Sequence, residues 1–398
     1  MTDTAGTAHP ALVTFALAMG AFAIGTNEFA AMSLVPFFSK DLRIDEATAG
    51  HAISAYALGV VVGAPVIAVL AARIARRSLL IGLMALFAVG NVLSALSPDY
   101  PTLLLFRFIA GVPHGAYFGV AALVAAALVP ANKRALSVAR VMTGLTVATI
   151  IGVPVANWLG QAFGWRAGFG IVALLALLTM ALVALYAPKG APGRDASPLR
   201  ELGALKRPQV LLTLLTGAVG FGGLFAVYTY VASTLIEVTG VSKAWVPPVL
   251  GMFGIGMTIG NLVAGWAADR NLNRTAILLM LWTAAALALF PLAAPRLWSV
   301  TLVIFLIGCG GGLGAVLQTR LMDVAGDAQA LAAAAHHSAF NVANALGPWL
   351  GGLAITAGYG FTASGWIGMA LSLGGLAVFL LALSLERRAT GTGGSRVT

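Results

Sequence analysis

Glu28 is a carboxylate set well inside an apolar run, Ala11 to Val35, that is long enough to cross a bilayer as a helix. The other Asp and Glu residues fall between or beyond such runs. An ionisable group in hydrocarbon costs about 3 kcal/mol on insertion scales, so this position predicts a proton, ion or substrate path. Two blander roles compete: a glutamate that snorkels to an interface, or one that pairs silently with Arg107. Arg107 lies in a second apolar run, 102 to 129. It is as costly there and should seek a carboxylate or carbonyl, with Glu28 the expected partner; its alternative is to anchor the helix near one end. Approach of the guanidinium would hold the carboxylate ionised, and retreat into a dry cavity would favour the acid. A proton-coupled cycle needs that alternation. Arg107, Gly111, His114 and Phe118 follow i, i+4, i+7 and i+11, which puts His114 on the same helix face. His114 reads as a proton relay, a donor to a solute, or a hydrogen-bonded packing histidine.

A second polar face repeats that spacing at His337, Asn341, Asn344 and Pro348. It is expected to look into a central cavity, where amides that both donate and accept suit a neutral polar ligand. Hydrogen bonding between helices is the competing role for both asparagines. His336 lies about 100 degrees around the same helix and need not share the task. Aromatic residues at Tyr56, Tyr117, Phe221, Phe225 and Tyr228 read either as packing or as the apolar wall of a site, with Trp349 a further member of the set. Asn27 and Gln318 complete the candidate solute-binding residues. There is no nucleophile–base spacing, phosphate-binding loop or metal signature, so no enzyme, cofactor or metal is expected.

These residues need a membrane scaffold to position them. Of 398 residues, 60% are hydrophobic and only 9% charged, which excludes a water-soluble domain. Apolar runs of spanning length recur near 11–35, 50–72, 79–97, 102–129, 136–160, 167–187, 209–235, 246–267, 275–294, 298–320, 329–356 and 363–385. An all-α integral membrane protein with twelve transmembrane helices follows, because backbone in lipid must satisfy its own hydrogen bonds and the period-two pattern of a barrel is absent. Of the 23 Lys and Arg, 17 fall on the side of the termini and 5 on the other, with Arg107 inside a span. Both termini are therefore expected in the cytoplasm, and the net charge of +10 is an orientation signal rather than a nucleic-acid footprint.

The chain also contains itself twice. Gly59, Gly63, Arg73 and Arg77 recur as Gly256, Gly260, Arg270 and Arg274 at a constant offset of 197. Gly152 and Pro154 have a near counterpart in Gly347 and Pro348. Two pseudo-symmetric six-helix bundles are implied, 1–187 and 209–398, joined by a cytoplasmic linker at 188–208. Arg73, Arg76, Arg77, Asp269, Arg270 and Arg274 are gating candidates, since such charges pair across a bundle in one conformation and release in another; positive-inside anchoring is their simpler role. Gly152, Pro154, Gly347 and Pro348 are gating candidates too, Gly347 and Pro348 because they allow bending and close approach in a moving span.

The basic loop motifs, Gly265-x-x-Ala268-Asp269-Arg270-x-x-x-Arg274 and its first copy, together with Arg107-x-x-x-Gly111, resemble signatures of the major facilitator superfamily along essentially the whole chain. Gly25-Thr26-Asn27-Glu28-Phe29, Pro113-His114-Gly115-Ala116-Tyr117-Phe118-Gly119, Gly164-Trp165-Arg166, Tyr228-Thr229-Tyr230 and Phe340-Asn341-Val342-Ala343-Asn344-Ala345-Leu346-Gly347 resemble its drug:proton antiporter branch, in particular bacterial sugar-efflux, arabinose-efflux and chloramphenicol-resistance permeases. The resemblance implies proton-coupled efflux of a small organic solute by alternating access, from a monomer in the bacterial inner membrane; an uptake symporter or facilitator is the rival. Ala72 stands where the first loop motif carries an acid, whereas the second copy keeps Asp269.

Overall fold

The computed structural model describes residues 9–70, 74–130, 134–189, 207–325 and 329–393. Arg73, Ala72 and nearly all of the linker lie outside them. Among the described residues twelve long helices follow in order: α1 (Pro10–Ser33), α2 (Glu46–Leu70), α3 (Arg76–Leu96), α4 (Tyr100–Ala127), α5 (Arg134–Val147, continuing through Val153–Phe163), α6 (Trp165–Tyr186), α7 (Pro208–Val238), α8 (246–270), α9 (272–293), α10 (Leu297–Ala325), α11 (Gln329–Ala354) and α12 (Ala363–Gly393). α8 and α9 are parted at Asn271, whose extended backbone interrupts the helix and whose side chain caps the next one by accepting from Arg274 N. Each apolar run became a helix, and most helices reach a few residues past their run because polar ends extend into the interface. α2 is the instructive case: it starts at Glu46, four residues before the run at 50, and so draws a carboxylate into the bundle.

The internal repeat governs packing as well as sequence. A Cβ on Gly59 would lie 2.1 Å from the Phe108 carbonyl oxygen, and one on Gly256 would lie 2.2 Å from that of Phe305. Gly63 faces Val112 O and Gly260 faces Cys309 O, both at 2.1 Å; Gly111 faces Tyr56 O at 2.0 Å and Gly308 faces Phe253 O at 2.4 Å. Every partner in the second half is its counterpart in the first displaced by 197. The α2–α4 and α8–α10 crossings are thus the same backbone-to-backbone contact, which only glycine permits and which packs helices closely in lipid.

The end of the molecule opposite the termini, here the far end, is tied by short polar contacts. Gly164 takes a left-handed φ of 90°, a conformation suited to glycine, and turns the chain so that Trp165 Nε1 (2.9 Å) and Arg166 Nη1 (2.5 Å) both donate to Asp41. Arg166 also donates to Ser97 O at 3.0 Å. These donors, Trp165 first and then Arg166, hold the Asp41 carboxyl below the usual carboxylate range. Asp45 caps α2 by accepting from Thr48 N and Oγ1, and those bonds likewise depress its carboxyl. Such stabilisation is complete above the unfolded-state value near 4 and is lost as pH falls through the lower folded-state value. Asp45→Ala is expected to cost about 1 kcal/mol at neutral pH and progressively less in acid. Thermal melts of both proteins in detergent, at neutral and strongly acid pH, check this.

At the termini end the second half carries a polar clamp. Arg320, the last residue of the apolar run 298–320, is buried near the end of α10. It donates to Asn273 on α9 (2.9 Å), Gln209 on α7 (3.3 Å) and Glu386 on α12 (2.9 Å). A guanidinium satisfies all three at once because its donors form a planar fork. Arg320→Met is expected to destabilise the protein by about 2–3 kcal/mol, since it strips three acceptors of one donor group; a lowered melting temperature in detergent is the readout.

Candidate functional site

The polar residues converge where the two bundles meet, about two thirds of the way along α1. Thr26, Asn27 and Glu28 are all buried there, with Glu28 only 8% exposed. Glu28 does not form the expected ion pair. Arg107 donates through Nη1 to Asn27 Oδ1 at 2.8 Å, and no ion pair joins Arg107 to Glu28 among the described residues. The amide next door in sequence, Asn27, supplies the neutral acceptor for the guanidinium. The cation rests instead on aromatic faces, 4.5 Å from the centre of the Tyr56 ring and 5.0 Å from that of Phe169. Tyr56 hydroxyl and His114 Nδ1 share a 2.9 Å hydrogen bond, so His114 buttresses the ring on which Arg107 lies.

Glu28 reaches across the molecule. Asn344 Nδ2 on α11 donates to Glu28 Oε1 at 2.9 Å, a direct bond between the halves. Asn341 turns the other way and donates to His337 O within its own helix. His337 contacts the first half differently, stacking on Phe118 with centroids 5.0 Å apart and planes 5° from parallel. His336 packs on Phe340 at 4.3 Å and stays in the second half, as its separate face required.

The wall of this centre comes from the second half. Phe29 inserts between Phe225 (6.0 Å), Tyr228 (5.3 Å, edge-on) and Phe253 (6.1 Å), and Phe221 extends the cluster to Phe340 at 4.5 Å. Asn27 Nδ2, Arg107 Nε, Tyr228 OH, Asn341 Oδ1 and Asn344 Oδ1 are buried without a protein partner. A buried polar atom left unpaired costs about 1–3 kcal/mol, so five of them gathered from α1, α4, α7 and α11 suit a site that receives a polar ligand.

Other candidates lie elsewhere. Tyr117 lies away from this centre: its hydroxyl donates to Leu17 O at 2.9 Å and fills the space that Gly20 leaves open, within the first half. Trp349 is exposed on the outer surface, and Gln318 is half-buried with no hydrogen bond to the centre among the described residues. Gly152 and Gly347 are close-approach positions, against Thr26 Oγ1 (2.1 Å from a built Cβ) and Gly222 O (2.2 Å). Pro154 faces Gly251 of α8, its Cγ 3.8 Å from a Cβ built there, and the Pro348 carbonyl accepts from Tyr230 OH. Arg76 is exposed, and Arg77 donates to Ala184 O in the last turn of α6. Arg270 folds back on Trp266, donating to its carbonyl at 2.7 Å and lying 3.6 Å over its ring. Asp269 borders a niche of about 100 Å³ between α8 and α10, and neither it nor Arg274 makes a side-chain ion pair among the described residues.

Sequence reasoning missed Glu46, Phe29, Phe253 and Ser54. Glu46 precedes its apolar run, while the phenylalanines and the serine carry no chemical mark that sets them apart from packing residues.

A family model described as Major Facilitator Superfamily matches residues 17–335 and 245–397. The chain belongs to the Major Facilitator Superfamily. The chain is 41% identical over 376 residues to inner membrane transport protein YdhP of Escherichia coli (strain K12), covering 94% of this chain and 96% of that one. It is 36% identical over 346 residues to a chloramphenicol resistance protein of Streptomyces lividans, covering 85% and 87%. Its fold matches the inward-facing crystal structure of a bacterial homologue of the human lysosomal transporter Spinster, with a TM-score of 0.71 and 17% identity over 96% of this chain and 98% of the other. The expectation of a twelve-helix chain with the major facilitator fold is therefore correct, and the chain is a multi-pass membrane transporter.

Proposed function

We propose that the protein exports a small organic solute from the cytoplasm in exchange for protons, by alternating access between bundles 1–187 and 209–398 in the inner membrane, with both termini cytoplasmic. The observation that carries this reading is the Glu28–Asn344 bond. A carboxyl that must meet each side in turn is hydrogen-bonded to the opposite half, so its environment changes whenever the halves move. In the present conformation the contact closes Glu28 off from the far end. Rocking the halves apart at that end breaks it and admits water, protons and departing solute. Arg107, held by Asn27 and Tyr56, stays beside the carboxyl throughout and supplies a fixed positive field. The C-terminal aromatics and the unpaired amides favour a neutral, partly polar solute of the kind a chloramphenicol-resistance relative would carry. One proton crossing 100 mV supplies about 2.3 kcal/mol, enough for roughly fifty-fold accumulation.

The test is transport by purified protein in proteoliposomes under an imposed proton gradient, with a panel of sugars, chloramphenicol-like compounds and lipophilic cations. Solute movement against its gradient, opposite in direction to protons, is the expected result. Solute and protons moving together identify a symporter, and flux indifferent to the gradient identifies a facilitator; either overturns the proposal.

A further inference from the structure

Four hydrogen bonds join the halves among the described residues. Ser54 donates to Ala345 O and Gln161 to Lys243 O, both ending on backbone. The two between side chains each end on a carboxyl of the first half: Asn344 on Glu28, and Ser233 Oγ of α7 on Glu46 Oε2 of α2. Nothing in the proton-coupled reading so far uses Glu46. It lies in the closure itself. Beside it the Tyr230 ring is seated among glycines: a Cβ on Gly50 would be 2.5 Å from the Tyr230 hydroxyl, and one on Gly352 would be 2.9 Å from it and 3.3 Å from Ala47 O.

We propose that Glu46 is a second proton-binding site on the transport route, whose protonation permits the far end to close. The argument is electrostatic. Ser233 and the exposed Glu237 stand about one turn apart on α7, whose end at Thr234–Val238 is π-helical, so closure that brings Glu46 to Ser233 also brings it toward a second carboxylate, with which it interacts. When both acids are ionised they repel across the seam. A proton on Glu46 removes that repulsion while leaving an oxygen to accept from Ser233. The other groups nearby do not compensate the charge. Tyr230 donates to Pro348 O, His51 and Tyr100 bond one another, Asp45 is occupied by Thr48, Asp41 by Arg166, and α11 offers Gly351 and Gly352. Lys40 and Arg43, on and after the short helix Val35–Leu42, are exposed to solvent. Protons arriving from the far side therefore meet Glu46 before Glu28, and loading it favours the closed far end, the order that antiport requires. This inference rests on the proton-coupled reading of Glu28.

The experiment places spin labels on exposed far-end positions of the two halves, Lys40→Cys and Ala244→Cys in a Cys309→Ser background, and reads their distance in proteoliposomes across pH. The ratio of short to long distances is expected to rise about tenfold from alkaline to acid buffer. Glu46→Gln should hold the short distance at every pH, Ser233→Ala should favour the long one, and Glu28→Gln should still respond to pH. A distance that ignores pH, or a response unchanged in Glu46→Gln, overturns the proposal. A response lost in Glu28→Gln but kept in Glu46→Gln removes the second site and leaves Glu28 as coupling acid. Persistence of the response with no proton-driven transport in the wild type sinks the antiport reading alone.

Discussion

Glu28→Gln is expected to abolish uphill proton-driven transport while solute exchange down a gradient remains measurable. Gln keeps the size of Glu and an oxygen that still accepts from Asn344 Nδ2, so the contact between the halves survives. What it loses is the ability to exist in two charge states. A carrier fixed in the neutral form can rock with solute bound, but it returns no charge and carries no proton, so the roughly fifty-fold accumulation available from 100 mV falls to unity. The measurement is paired: accumulation under an imposed proton gradient, and counterflow of labelled solute without one. Undiminished accumulation in the variant would remove Glu28 from the coupling step. Glu28→Ala is a weaker test, because it also discards the cross-half bond and leaves Asn344 with a further unpaired group.

The two halves share packing but not chemistry. Displaced by 197, Glu28 falls on Phe225, Tyr56 on Phe253 and Arg107 on Ile304. The titratable centre thus belongs to the first half, and two of the three corresponding positions of the second half, Phe225 and Phe253, supply part of the aromatic wall that closes over it. An arrangement of this kind separates the two tasks of the cycle. One half holds a fixed cation and a titratable acid, and the other presents apolar surface plus the Asn344 amide, which senses where that acid is.

How much of this was legible in the sequence depended on whether a residue's role is written in its own chemistry or in its neighbour's. Spanning helices follow from the cost of unpaired backbone in lipid, and Glu28 and Arg107 stood out because charge in an apolar run is expensive. The glycine repeat was visible as well, and its partners on α4 and α10 obey the same offset. Arg107 illustrates the limit. Its need for a partner was evident, but choosing between Glu28 and the adjacent Asn27 depends on a rotation of α1 that no spacing encodes. Tyr117 and Phe118 are consecutive, so they point to different faces: one struts the first half internally and the other stacks on His337 across the seam. Glu46 escaped notice for a different reason. Hydropathy ends a span where polarity begins, whereas the helix begins at its cap, Asp45, and carries the next residue inward.

Gly254 and Gly256 are two residues apart on α8, and enlarging each is expected to fail in a different way. A Cβ on Gly254 would lie 2.6 Å from the Thr149 carbonyl of α5, in the opposite half; one on Gly256 would lie 2.2 Å from the Phe305 carbonyl of α10, in its own half. Backbone cannot yield as a flexible side chain does, so both clashes are severe, on the order of the 1–3 kcal/mol of overpacking or more. For Gly256→Val the clash is present in every conformation, because α8 and α10 move as one body. Loss of folded protein in the membrane and a collapsed melting temperature should follow. For Gly254→Val the clash exists only while α5 and α8 meet at the far end. The protein escapes it by opening that end, so it should fold, melt close to wild type, and populate the long far-end distance at all pH values while transporting nothing. An effect of about 3 kcal/mol would move such an equilibrium more than a hundredfold. Failure of Gly254→Val to fold would mean that the α5–α8 contact is part of the permanent core, and the halves would then have to move about some other seam.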